Sequence, residues 1–208
     1  MYHIVNDKRA LTSARLIYQA LVKCLDRKPF HKITVQDIQN ESGVGRATFY
    51  RHFDSLSDVL QYEVDMYCAE LRAIMCKREE QGGFPLEEYL HISLGYWMHH
   101  DEIVEVLASI DRMDILFEGM RKSNLELVSH VFPELGTDSK EYQMISHLRY
   151  GFLSGIVSMW LAGDKKDTPE ELVRIIQSDV CQYYIRVVMG AELKSPVPPA
   201  YGGGAEQK

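Results

Sequence analysis

Apolar and polar positions alternate along this chain with a helical period almost throughout. Ala10, Leu11, Ala14, Ile17, Leu21, Val22 and Leu25 fall on one face of a first helix. Val35, Ile38 and Ser42 recur at spacings of three and four in a short second one, and Phe49 and Phe53, four apart, mark the inner side of a third. The run Val59, Leu60, Val64, Tyr67, Leu71, Ile74 and Met75 predicts a helix of about six turns, which Gln81-Gly82-Gly83-Phe84-Pro85 ends. Further helical patterns cover residues 85–99, 101–110, 112–131, 139–162 and 169–189, with breaks at Phe132-Pro133 and Gly163-Asp164. No strand-like alternation and no internal repeat is evident. The expectation is an all-α fold of about nine helices: a three-helix unit over residues 1–54, a larger helical domain over 55–190, and a Pro- and Gly-rich tail over 191–208 that should be disordered.

Local punctuation sharpens the first part of this pattern. In the segment ITVQDIQNESGVGRATFYRHF, residues 33–53, the Thr34 hydroxyl can cap an exposed amide while Asp37, three residues on, returns a carboxylate to the same turn. Gly43 supplies the residue type that a left-handed position beyond a helix prefers, and Val44 can bury between the two helices. Gly45 is an acceptable N-cap for the next helix, which runs from Arg46 without a breaker. Two helices on a tight glycine turn make a helix-turn-helix. With Phe49 and Phe53 turned inward, Arg46, Thr48, Tyr50, Arg51 and His52 present hydrogen-bond donors with no carboxylate among them, a face suited to phosphates and base edges. Ser55 with Asp58, and Thr168-Pro169-Glu170-Glu171, are two further helix starts.

Charge changes the weight of that motif. The chain has 208 residues and a net charge of −7. Residues 1–60 hold nine Lys or Arg against six Asp or Glu, a net +3, which leaves −10 for the remainder. A basic end on an acidic body suits a protein that meets a polyanion locally, and a pI near 5.6 argues against a general DNA coat. No stretch reaches the roughly 18 apolar residues of a membrane span, no secretory signal is visible, and the chain is expected to be cytoplasmic. The four cysteines form no CxxC pair and suit a reducing compartment. No HExxH, GxSxG or phosphate loop is present, so no enzymatic role and no cofactor are expected. His99-His100 beside Asp101-Glu102 makes a poor joint metal site, because adjacent helical side chains diverge by about 100°.

The ordered set ITVQDI, SGVGRATFYRHF and SDVL, within about residues 9–60, resembles the DNA-binding domain of TetR-family transcriptional regulators. The resemblance implies that Lys32 and Thr34 lie beside the sugar-phosphate backbone, that Arg46, Ala47 and Thr48 enter the major groove, and that Tyr50, Arg51 and His52 share phosphate and base contacts. Arg46 and Arg51 are the candidates for reading guanine. Two positions depart from many relatives: Gly45 stands where serine is common, and Leu56 where a lysine grips a phosphate. The resemblance further implies a homodimer on a palindromic double-stranded operator, with the dimer surface drawn from the apolar faces of the last helices: Phe152, Ile156, Met159 and Trp160, then Ile176, Val180, Tyr183 and Tyr184. It implies a repressor released by a small-molecule effector, in a pocket for which Tyr96, Trp97, Met113, Phe117, Met120 and Tyr150 are the candidate lining; ordinary core is the competing assignment for the same residues. The alternative function is a co-activator or interaction protein that takes its signal from a partner protein.

Overall fold

The computed structural model describes residues 1–4, 7–83 and 85–188. Within them run ten α-helices: α1 (Lys8–Leu25), α2 (Val35–Ser42), α3 (Arg46–His52), α4 (Leu56–Glu80), α5 (Leu86–His99), α6 (Asp101–Ser109), α7 (Met113–Val131), α8 (Lys140–Ala162), α9 (Pro169–Ile176) and α10 (Asp179–Val188), with a short 3-10 turn at Phe30–Lys32. Among the described residues there is no strand, only a single antiparallel bridge between Tyr2 and Phe53. The fold is all-α, as the periodicity predicts, with one helix more than expected. The pattern over 169–189 is two helices, because α9 ends at Gln177 and the amide side chain of Gln182 turns back to donate to the Ile176 carbonyl at 2.9 Å. The expected disordered tail lies outside the described residues.

The helix starts follow the local chemistry. Asp7 caps α1 by accepting from the amides of Arg9 and Ala10. Reciprocal capping boxes form at Thr34/Asp37, Ser55/Asp58 and Thr168/Glu171, each satisfying amides that a helix N-terminus leaves unpaired. Gly43 closes α2 at φ 73°, in the left-handed region.

Helix α1 packs on α2, α3 and α4, while the other half of α4 packs along α7, and α7 against α8. One continuous buried cluster therefore runs from Ile17 and Leu21 through Phe49, Phe53, Leu60 and Val64 to Trp97, Leu116, Leu153 and Ile176. Phe49 and Phe53 are fully buried, as predicted, each worth roughly 1.5–3 kcal/mol of transfer free energy. No helix among the described residues is long and apolar enough to cross a membrane.

The tightest approach is between α4 and α7. A Cβ on Gly119 would sit 2.5 Å from Val64 Cγ1 and 3.3 Å from both Asp65 Oδ1 and Cys68 Sγ. The β-branched Val64 is itself fully buried and has nowhere to go. Gly95, inside α5, has nothing within 4 Å of the same construction. In denaturant unfolding, Gly119→Ala should cost about 1–3 kcal/mol. Gly95→Ala should instead stabilise by about 0.5–1 kcal/mol; equal effects of the two would contradict this packing.

Candidate nucleic-acid interface

Six of the nine basic residues of the N-terminal unit fall into two groups around α2 and α3. Near the C-terminus of α1, Lys28 pairs with Asp37 at 2.6 Å, and both Arg27 and Lys23 pair with Glu41. These pairs lash α1 to α2 and neutralise their own charge. Lysine and the Thr34 hydrogen bonds together hold the Asp37 carboxyl far below its ordinary range. By contrast Lys32, Arg46 and Arg51 are exposed and make no ion pair among the described residues.

Helix α3 presents two of these unpaired charges, Arg46 and Arg51, outward. Phe49 and Phe53 anchor its inner side with rings 5.9 Å apart. Opposite them, Arg46 and Ala47 are exposed at the first turn and Thr48 is half-buried. The Arg46 guanidinium lies 5.5 Å from the centre of the Tyr50 ring, and Tyr50 in turn stands edge-on to Phe49. That stack holds the exposed phenol and the guanidinium side by side, which limits the conformational freedom either would lose on binding. Thr34 keeps its hydroxyl within its capping box, donating to Asp37 at 2.6 Å, while its side chain stays exposed beside Lys32. Gly45 provides no side-chain cap at the start of α3. Leu56 packs partly on the core at the first turn of α4 and offers no charge.

His52 is a correction. Its ring is only 4% exposed, and neither nitrogen has a hydrogen-bond partner within the protein. At position seven of α3 it follows the turn round to the side facing Phe53, at 6.4 Å between ring centres, and the carbonyl of the same residue accepts from the His3 amide at 2.8 Å. Burial, with the Arg51 charge in support, pushes its pKa below the ordinary 6.5. The donor face is therefore Arg46, Tyr50 and Arg51, without His52. The segment Tyr2–His3 had no motif to mark it, yet it straps α3 to α4: the Tyr2 hydroxyl donates to Asp65 at 2.9 Å and its ring stands edge-on to Tyr62.

The C-terminal region has an interior cavity of about 40 Å³, lined by Cys68, Leu71, Arg72, Met75, Tyr89, Ser93, Trp97, Met120, Ser123, Asn124, Leu127 and Leu153. A neighbouring, larger cavity of about 320 Å³ is lined by Met75, Glu79, Tyr89, Leu127, Val131, Arg149 and Phe152. Of the six residues expected to line a pocket, Trp97 and Met120 do so. Tyr96, Met113, Phe117 and Tyr150 do not: the Tyr96 hydroxyl donates outward to Glu70, and the others are half-buried packing on the core. Periodicity had offered no reason to choose Arg149, although it is a single arginine amid the apolar turns of α8.

The expected dimer residues divide as well. Ile156, Trp160 and Ile176 are buried within this chain, so they are core, and Phe152 lines the larger cavity. Met159 and Val180 are exposed at 47% and 43%, and Tyr183 is half-buried; the Tyr184 side chain lies outside the described residues. The outer face of α8 is instead Met144, Leu148, Gly151, Gly155 and Met159. Nothing within 4 Å covers either glycine.

Two helices on a left-handed glycine turn, the second with a carboxylate-free outer face, define a protein of the helix-turn-helix class. Residues 9–62 match the model of the bacterial regulatory proteins of the tetR family, so the N-terminal unit is similar to the DNA-binding domain of those proteins. It is 23% identical over 181 residues to the uncharacterised HTH-type transcriptional regulator YxbF of Bacillus subtilis (strain 168), a match covering 81% of this chain and 44% of that protein. The chain thus spans less than half the length of that relative. In fold it is similar to the crystal structure of Lin0861 from Listeria innocua, with a TM-score of 0.67 and 16% identity over 90% of this chain and 97% of the other.

Replacing His52 tests the inward assignment. His52→Leu removes two buried unpaired nitrogens at similar volume, and should leave stability at pH 7.5 equal or higher. A histidine with a depressed folded-state pKa stabilises above its unfolded value and loses that contribution as pH falls below 6.5 toward the folded value. Thermal melts of the variant should therefore fall less steeply over that acid range. A matched loss of DNA affinity in His52→Leu and Arg51→Ala would return His52 to the interface.

Proposed function

We propose that this protein is a DNA-binding transcriptional regulator that works as a homodimer, represses from a palindromic operator, and is released when a small molecule binds its C-terminal domain. The observation that carries the DNA reading is the split among its basic residues. Those joining α1 to α2 are neutralised, whereas Arg46 and Arg51 at the two ends of α3, and Lys32 before α2, stand exposed and unpaired among the described residues. Unpaired guanidinium groups at a helix held by its opposite side suit phosphate positioning and guanine readout in a major groove. A single α3 reads one half-site. Two are required to span successive grooves about 34 Å apart, which calls for a second copy.

The outer stripe of α8 suits that second copy. Met144, Leu148, Gly151, Gly155 and Met159 follow spacings of three and four, and the small residues let helices approach closely. Ile175 on α9 and Val180 on α10 are exposed apolar residues as well. Release then requires that the effector bind one arrangement of α4 better than another, since equal affinity for both shifts nothing.

A titration with the DNA upstream of its own gene tests this reading. Arg46→Ala and Tyr50→Ala should each weaken specific binding by about tenfold or more, corresponding to about 1–3 kcal/mol per lost contact. Wild-type affinity should fall steeply between 50 and 200 mM salt on the general scale for phosphate-gripping proteins. Specific binding that appears only with an added protein partner would favour the partner-driven reading instead. Leu148→Glu should sediment as a folded monomer and lose operator binding; a dimer retained in that variant would place the two-fold surface elsewhere.

A further inference from the structure

The two cavities beside α4 share three walls, Met75, Tyr89 and Leu127. The inner one is too small for more than a water or a single polar group, but it is not apolar. Ser93 and Trp97 are 0% and 1% exposed, and both the Ser93 Oγ and the Trp97 Nε1 lack a hydrogen-bond partner. Each carries a donor, and a buried donor without an acceptor is costly, so the inner end is short of an oxygen acceptor. Asn124 does not relieve them, because its amide nitrogen is committed to the Ser146 carbonyl at 2.6 Å.

The outer cavity holds the opposite end of the same problem. Arg149 projects from α8 with its guanidinium 4.8 Å from the centre of the Tyr89 ring. Its Nε is buried without a hydrogen-bond partner, and it makes no ion pair among the described residues. The other arginine on these walls is committed: Arg72 pairs with Glu126 at 2.7 Å. Glu79 shares the outer wall but does not form an ion pair with Arg149, and it leans toward Gly83 at the rim. A volume of about 320 Å³ is within the range of small-molecule sites, roughly 300–1,000 Å³.

We infer that these joined cavities bind a small monocarboxylate with an apolar body and an oxygen acceptor at its far end. The carboxylate pairs with Arg149, whose planar fork suits it and whose stacking on Tyr89 fixes its direction. The body lies along Met75, Leu127 and Phe152, and the distal oxygen reaches Ser93 and Trp97. Met75 is the flexible partition whose rotation joins the two spaces. This inference rests on the reading of the C-terminal domain as effector-binding, and it adds the ligand class and the residue that selects it.

Calorimetry on the full-length protein tests it with 3-(4-hydroxyphenyl)propanoate and 8-hydroxyoctanoate, each beside its primary amide, and with 4-hydroxyphenethylamine as the cationic counterpart. At least one carboxylate should bind about tenfold or more tighter than its amide, and the amine should not bind. Arg149→Gln should abolish that preference while Arg149→Lys retains part of it. Ser93→Ala should weaken the hydroxyl-bearing probe several-fold and leave 3-phenylpropanoate unchanged. Circular dichroism and operator binding of each variant, equal to wild type, show that the fold is intact. Absence of binding by both carboxylates, amides equal to acids, an amine that binds better through Glu79, or an Arg149→Gln variant with wild-type affinity would each overturn the inference. Arg149-dependent binding that leaves operator affinity unaltered would instead uphold the site and overturn the effector reading.

Discussion

Helix α4 belongs to two packing arrangements at once, and the rest of the molecule depends on that. At its start, Val59 and Leu60 are fully buried in the cluster that also holds Phe49 and Phe53. Further along, Val64 and Cys68 meet α7 so closely that position 119 has no room for a side chain. Its last turns supply Met75 and Glu79 to the cavities. A 25-residue helix is about 38 Å long, so one rigid element touches the support of the recognition helix at one end and the interior space at the other.

That arrangement gives a physical route for coupling. Close-packed contacts such as Gly119 on Val64 do not deform smoothly, and the proposed release rests on α4 moving as a body. The strap of Tyr2 and His3 links α4 to α3, since it is tied to Asp65 on α4 through a hydroxyl and to the end of α3 through the backbone. Tyr62 completes the link, with its ring 5.9 Å from that of Phe53.

What was legible in the residues was local. Thr34 with Asp37, Ser55 with Asp58 and Thr168 with Glu171 are three apart, within one helical turn, and their geometry follows from that spacing whatever surrounds them. Gly43 is similar, because a left-handed residue has few competitors for the position. Phe49 and Phe53 could be placed inside because a short helix with two large aromatic residues on one side has no other way to bury them. His52 escapes the same rule: a polar residue on a helix bearing several donors is expected to face outward, but beside Phe53 and the N-terminal strap its ring is buried. On α8 the difficulty was of another kind, for apolar residues lie on more than one side. Periodicity shows that Ile156 and Met159 are both apolar, but not that one meets its own chain and the other faces outward.

By itself, then, the sequence determined an all-helical chain, where most helices begin, and a basic helix-turn-helix at one end of an acidic body, because caps, turns and net charge are properties of neighbouring residues. Tertiary structure alone decided which donors stay unpaired. Lys28 is neutralised by Asp37 and Arg46 is not; Trp97 lines the cavity and Tyr96 points away; Arg149 lies beside Tyr89, sixty residues distant in the chain. Each of these outcomes depends on which surfaces meet across distant helices, and that is set by the packing of whole elements, which local spacing does not encode.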